Sequence, residues 1–222
     1  MNQKTWSAVD TYFCERLVPS DPALANALRD SDAAGLPQHN VAPNQGKLLH
    51  LLAKLQGARK ILELGTLGGY STIWLARALP EGGRLVSLEA NLAHAEVAIA
   101  NIAQAGLSHV VDVRVGRAID TLPLLAQENI APFDFIFIDA DKPSNPEYLE
   151  WSLKLSRPGT VIIGDNVVRD GAVADATSPD PNVIGVRRFF DLMADNPHLS
   201  ATAIQTVGSK GFDGFSLALV TA

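Results

Sequence analysis

Short apolar runs alternate with helix-spaced apolar positions along most of this chain. Ile61–Leu64 is apolar apart from Glu63, as a strand buried on both faces requires. From about Tyr70 the spacing becomes helical, with Ile73, Trp74, Ala76 and Ala78 on one face of a helix that runs to Leu79. The alternation repeats downstream. Strands are predicted at Arg84–Glu89, Val110–Val115, Phe133–Ile138 and Thr160–Gly164, with helices at Leu92–Ala105, Ala118–Gln127 and Pro146–Leu155 between and after them. A helix at Val183–Ala194 and strands near Ser200–Thr206 and Phe215–Val220 complete the pattern. It predicts a doubly wound α/β fold: a mostly parallel seven-stranded sheet with helices on both faces. The two closely spaced C-terminal strands predict an antiparallel hairpin at one edge. No repeat or linker divides the chain, so residues 1–222 read as one domain.

Ahead of the first strand, helices are expected at Thr5–Val18 and Pro22–Ala34, with Ser20 or Asp21 as the cap before Pro22. Gly35–Asn44, with two prolines, reads as a loop, and Asn44–Gln56 as a helix with a broad leucine face. Residues 1–40 are therefore a helical addition to the sheet, suited to capping a substrate pocket or to a dimer contact.

Composition narrows the function. A formal net charge of −6 and a pI near 5.3 leave no basic stripe for phosphates, which argues against a nucleic-acid partner. No uninterrupted apolar run reaches membrane-spanning length, so no membrane association is expected. Cys14 is the lone cysteine, which suits a reducing compartment, and the expectation is a cytoplasmic protein.

Candidate chemistry gathers at predicted strand ends, where open α/β sheets bind ligands. Gly65, Gly68 and Gly69 form a tight turn between strand and helix, with free N–H groups at the helix start. Their Gly-x-x-Gly-Gly spacing departs from the Gly-x-Gly-x-x-Gly of pyrophosphate sites. Glu63, just before the turn, suits a cationic ligand carrying an amino group or a sulfonium. Glu89, 24 residues past Gly65, is placed to accept ribose hydroxyls; alone it also reads as a cap on the next turn. Asp139, Asp141 and Lys142 follow one strand, and Asp165 and Asn166 the next. If those strands are neighbours, Asp139, Asp165 and Asn166 converge as oxygen donors for a hard divalent cation such as Mg²⁺, Mn²⁺ or Ca²⁺. The five histidines form no i, i+4 pair, and no Gly-x-Ser-x-Gly elbow is present.

Three segments together resemble the cation-dependent O-methyltransferases that use S-adenosylmethionine, the catechol and caffeoyl-CoA type. They are Ile61-Leu-Glu-Leu-Gly-Thr-Leu-Gly-Gly-Tyr-Ser71, Phe133-Asp-Phe-Ile-Phe-Ile-Asp-Ala-Asp-Lys142 and Gly164-Asp-Asn-Val167, within a match from about Val41 to the C-terminus. The resemblance implies a Rossmann-like fold in which Glu63, the Gly65-Thr66 backbone and Ser71 hold the methionine moiety of the cofactor. It places Glu89 on the ribose, Val41 and Ala118 in backbone and apolar contact with the cofactor, and Asp141 beside it. Asp139, Asp165 and Asn166 become the metal ligands and Lys142 the general base. The implied reaction methylates one hydroxyl of a small vicinal dihydroxy aromatic, and a homodimer is expected. Lys142 works as a base if neighbouring metal and sulfonium charges lower its own pKa.

Two departures from the family pattern bear on the acceptor. Asn145 stands where relatives often carry an aromatic, while Tyr148 keeps its place. Val167-Val-Arg-Asp170 stands where many have a tryptophan before a serine, which brings Arg169 and Asp170 into the substrate set. An acidic substituent on the acceptor is one reading of Arg169, and a solvated surface arginine the other. The competing functions are a nicotinamide-dependent oxidoreductase, disfavoured by the glycine spacing and the acidic strand ends, and a noncatalytic relative that binds cofactor.

Overall fold

A computed structural model describes residues 2–222. The strands are β1 (Lys60–Leu64), β2 (Arg84–Glu89), β3 (Val111–Val115), β4 (Phe135–Ile138), β5 (Val161–Asp165), β6 (Leu199–Gly208) and β7 (Gly211–Val220). They form one sheet in the order β3-β2-β1-β4-β5-β7-β6. The first five are parallel, and β7 runs antiparallel between β5 and β6. The expected mixed seven-stranded architecture is present. Its winding reverses between β1 and β4, which opens a crevice at the strands' carboxyl ends.

Period-2 alternation sorts each strand between two cores. Leu62, Leu64, Ile136, Ile138 and Ile162 face Leu122 and Leu125 of α6 (Ala118–Gln127), Leu149 of α7 (Asn145–Lys154), and Val186 and Phe189 of α8 (Pro181–Asp195). Ile61, Leu85, Phe135, Phe137 and Ile163 point the other way. They meet Leu24 of α2 (Pro22–Ala33), Leu49 of α3 (Pro43–Gln56), Ile73 and Trp74 of α4 (Tyr70–Ala76), and Ile102 of α5 (Leu92–Gln104). Burying each of these larger side chains is worth roughly 1.5–3 kcal/mol. Covering both faces is why the strands read as continuous apolar runs.

Local signals set most helix ends. Asp21 is the cap of α2, its carboxylate accepting from Ala23 N and Leu24 N ahead of Pro22. Asn91 caps α5, whose far end turns at Gly106 with φ +74. α1 (Gln3–Leu17) begins two residues earlier than expected because Asn2 accepts from Thr5 N.

The C-terminal hairpin is present as expected, and its strands are longer than the sequence predicts. β6 and β7 pair all the way from Leu199↔Val220 to Gly208↔Gly211, leaving a two-residue turn at Ser209-Lys210. The predicted strands stop near Thr206 and resume near Phe215, yet the backbone between them completes the ladder as far as that turn. Two side chains of α1 hold that turn: Asp10 accepts from Ser209 N at 2.7 Å, and Gln3 donates to the carbonyls of Gly208 and Ser209.

Candidate active site

The carboxyl ends of β1, β2, β4 and β5 surround a cavity of about 730 Å³. The loop 37–41, the segment following β5 and the β6–β7 hairpin also line it. Of the residues singled out in the sequence, Val41, Gly65, Thr66, Ser71, Glu89, Ala118, Asp139, Asp141, Lys142, Asp165, Asn166 and Arg169 line it. Glu63 and Asp170 do not.

Glu63 lies behind the glycine turn. It shares the α4 face of β1 with Ile61 and is fully buried, and three hydroxyls fill its oxygens. Ser71 donates to Oε1, while Ser87 of β2 and Thr72 of α4 donate to Oε2. A further 2.6 Å contact joins Ser87 to Thr66. Burial raises the Glu63 carboxyl to about 7 against the pull of these hydroxyls. In this arrangement Glu63 fixes Ser71 and, through Ser87, Thr66, both of which face the cavity.

Gly65 has φ +97, and its missing Cβ leaves room for the carbonyl of Asp139 on the neighbouring strand. The two halves of the site therefore touch through backbone. Glu89 ends β2 and is buried. It accepts from Leu67 N at 2.8 Å and Asn91 N at 2.9 Å, with His94 Nδ1 at 3.6 Å. It caps the next turn, as one reading of its position requires, and each oxygen keeps a lone pair for the cavity.

β4 and β5 are neighbours, in register Ile138↔Gly164, so Asp139 and Asp165 stand at adjacent strand ends. Burial raises the pKa of Asp165, and repulsion from Asp139 raises it further. Asp165 Oδ2 accepts from Gln45 Nε2 at 2.7 Å and Oδ1 from Asn166 N at 2.8 Å. The buried Lys142 places Nζ 3.0 Å from Asp139 Oδ1. Asn166 adopts φ +53, a left-handed conformation that asparagine tolerates better than most residues. Among the described residues no three His, Cys, Asp or Glu side chains cluster for a metal. The donor set instead pairs two mutually repelling carboxylates with a side-chain amide, a hard oxygen set that fits a divalent cation. Asp141 is exposed and accepts from Tyr148 Oη and Ser144 Oγ; burial and Asp141 both raise the Tyr148 pKa.

Sequence reasoning missed Gln45, Asn40, His39, Asn182, Lys210 and Asp213. Gln45 sits on α3 and the others on loops, a helix start or the hairpin, so none follows a parallel strand. Asp213 Oδ1 accepts from the N–H groups of Val168, Arg169 and Gly214, and so shapes the segment that carries Arg169.

A family model described as O-methyltransferase matches residues 18–219. The chain belongs to the O-methyltransferase family. A catechol O-methyltransferase of Niastella koreensis is 53% identical over 220 residues, covering 99% of this chain and all of that one. The crystal structure of a Bacillus cereus O-methyltransferase in complex with SAH is 60% identical, with a TM-score of 0.98 over 99% of this chain and 100% of that one. The O-methyltransferase TomG of Streptomyces achromogenes, in complex with SAM, is 55% identical, with a TM-score of 0.97 over 100% of both chains. Membership sets aside the nicotinamide oxidoreductase reading: this is an O-methyltransferase with a small-molecule substrate. None of its described helices is long and apolar enough to cross a membrane.

Proposed function

We propose that this enzyme methylates one hydroxyl of a vicinal dihydroxy aromatic, with S-adenosylmethionine as donor and a divalent cation held by Asp139, Asp165 and Asn166. The carrying observation is the meeting of two carboxylates, the half-buried Asp139 and the buried Asp165, at neighbouring strand ends in the cavity that also holds the glycine turn. The SAH and SAM complexes of the structural relatives and the catechol in the name of the Niastella enzyme support the same assignment.

When bound, the donor supplies an electrophilic sulfonium methyl, and the cation lowers the pKa of a phenolic hydroxyl from about 10. The chain's own residues supply the rest. The turn Gly65–Ser71, with Glu89, Val41 and Ala118, holds the donor on the β1–β2 side. Glu63 keeps Ser71 and Thr66 in place from behind. Asp139, Asp165 and Asn166 would hold the cation on the β4–β5 side, where the acceptor's two adjacent oxygens are placed, and Lys142, as the neutral amine, would take the departing phenolic proton on Nζ. Holding oxygen and methyl carbon in line supplies roughly 7–11 kcal/mol of the barrier reduction.

The test is methyl transfer from S-adenosylmethionine to a panel of catechols, followed by mass spectrometry with and without chelator. Loss of product on chelation and recovery with Mg²⁺ is expected; an active enzyme indifferent to chelator contradicts the cation's role. An enzyme that binds donor but methylates no catechol contradicts the proposed acceptor class. A homodimer in the cytoplasm completes the proposal. Val9, Tyr12, Phe13 and Leu17 of α1, with Ile204 and Val207 of the edge strand β6, expose apolar surface that a second copy would cover. Light scattering reporting a monomer at micromolar concentration would contradict it.

A further inference from the structure

Four Arg and Lys side chains line the cavity: Arg117, Lys142, Arg169 and Lys210. Two have carboxylate partners, Lys142 with Asp139 at 3.0 Å and Arg117 with Asp120 at 3.9 Å. Among the described residues, Arg169 and Lys210 have no carboxylate oxygen within 4 Å of their nitrogens. Arg169 Nε is in addition buried without any hydrogen-bond partner. Lys210 Nζ reaches only neutral acceptors, the Gln38 carbonyl at 3.0 Å and Asn40 Oδ1 at 3.5 Å.

The cavity's acids are meanwhile supplied with donors. Asp139 has Lys142, and Asp165 has Gln45 and its neighbour's N–H. Asp141 has Tyr148 and Ser144, Glu89 has two backbone N–H groups, and Asp213 has three. What Arg169 and Lys210 lack is a carboxylate in direct contact: Asp180 acts on Arg169 only through space. Both are held in place: Arg169 by a left-handed backbone at φ +56 whose N–H bonds Asp213, and Lys210 by a hairpin turn that Asp10 and Gln3 anchor to α1. Arg169 stands three residues beyond Asn166, on the β5 side of the cavity where the acceptor is proposed to lie, and Lys210 reaches the same cavity from the hairpin tip, against the loop 37–41.

We propose that Arg169 and Lys210 together bind a carboxylate carried by the methyl acceptor, which makes the acceptor class a vicinal dihydroxy aromatic acid. The proposal rests on the catechol reading above and narrows it. A guanidinium presents donors in the planar fork that matches a carboxylate, and the bound anion fills the empty Nε while Lys210 adds a point charge from the other wall. Neutral catechols enter the same cavity but leave Arg169 Nε unpaired, at a cost that separates the two classes.

The experiment compares 3,4-dihydroxycinnamate with its methyl ester, which keeps the catechol and removes the charge. Two readouts are taken: kcat/KM with S-adenosylmethionine and Mg²⁺, and Kd by calorimetry on enzyme saturated with S-adenosylhomocysteine. The acid is expected to win by about 10-fold or more in both, as a charge-assisted pair implies. In R169Q that preference falls below about threefold, K210Q is intermediate, and R169K retains part of it. Melting temperatures matching the parent enzyme show that the variants fold. An acid-to-ester ratio near one in the parent, a preference that survives R169Q, or an acid that neither binds nor reacts overturns the proposal. Arg169-dependent binding of the acid without methylation of either compound upholds it and defeats the methyl-transfer reading. Turnover of both compounds without preference does the reverse.

Discussion

Gly65→Ala isolates the contact that joins the two halves of the site. A Cβ at Gly65 would overlap the carbonyl oxygen of Asp139 and sit 2.8 Å from its carbonyl carbon. That carbonyl belongs to the backbone just beyond β4 and has no rotamer to retreat into. Alanine at φ +97 costs about 1–3 kcal/mol in backbone strain. Forcing the ends of β1 and β4 apart adds about 1–3 kcal/mol of overpacking. The sum is about 4 kcal/mol. Gly106→Ala is the control, because Gly106 has φ +74 and no atom within 4 Å of its absent Cβ. It should cost about 1 kcal/mol, the strain alone. Urea unfolding followed by circular dichroism measures both, with unchanged m-values required for the comparison. With m near about 2 kcal/mol/M, the two midpoints should differ by about 1.5 M. Midpoints that coincide would refute the claim that the Asp139 carbonyl fixes the glycine. Gly65→Ala should also weaken S-adenosylhomocysteine binding, since the turn moves with the strand end.

Three further predictions follow from named contacts. Glu63 holds its proton to about 7 in the fold against 4.5 for an ordinary glutamate, so its contribution to stability falls as pH rises from 4.5 to 7, by up to about 3 kcal/mol at about 1.36 per unit. Glu63→Gln removes that slope; thermal melts should show the variant gaining on the parent between about pH 5 and pH 7.5, and a pH-independent difference contradicts the assignment. Asp134 is buried, which raises its pKa, but the N–H groups of Arg59 and Lys60 and the Arg157 guanidinium hold it below the usual range. Its stabilisation is present above pH 3.8 and is lost as pH falls through its folded pKa; Asp134→Ala should cost about 3 kcal/mol in neutral urea melts and flatten the acid limb. Gln45→Leu removes the donor to Asp165 Oδ2, so Mn²⁺ binding followed by electron paramagnetic resonance should weaken about 10-fold, and an unchanged Kd would show that Gln45 does not orient this ligand.

Much of the site was legible because it lies just past strands whose apolar runs are local features. Gly65, Glu89, Asp139 and Asp165 each end or follow such a run, and the glycine turn and the two acidic motifs need no partner to be recognised. The orientation of Glu63 was not legible. One residue of register decides which face it takes, and the hydroxyls that fill it come from β2 and α4, 24 and 9 residues away. Its distance from the cavity follows from three donors meeting behind the turn.

What the chain by itself determined is the alternation of strand and helix, the glycine turn and the oxygen-rich strand ends, all written within a few residues of one another. The tertiary structure decided which of these meet. Strand order brings β4 beside β5 and so sets Asp139 against Asp165, a repulsion that neither segment contains alone. Hairpin pairing through Gly208↔Gly211, fixed by Asp10 from α1, carries Lys210 to the cavity mouth. Apolar burial is signalled by local periodicity. Which buried strands adjoin depends on hydrogen bonds and packing between residues far apart in the chain, so that choice belongs to the whole fold.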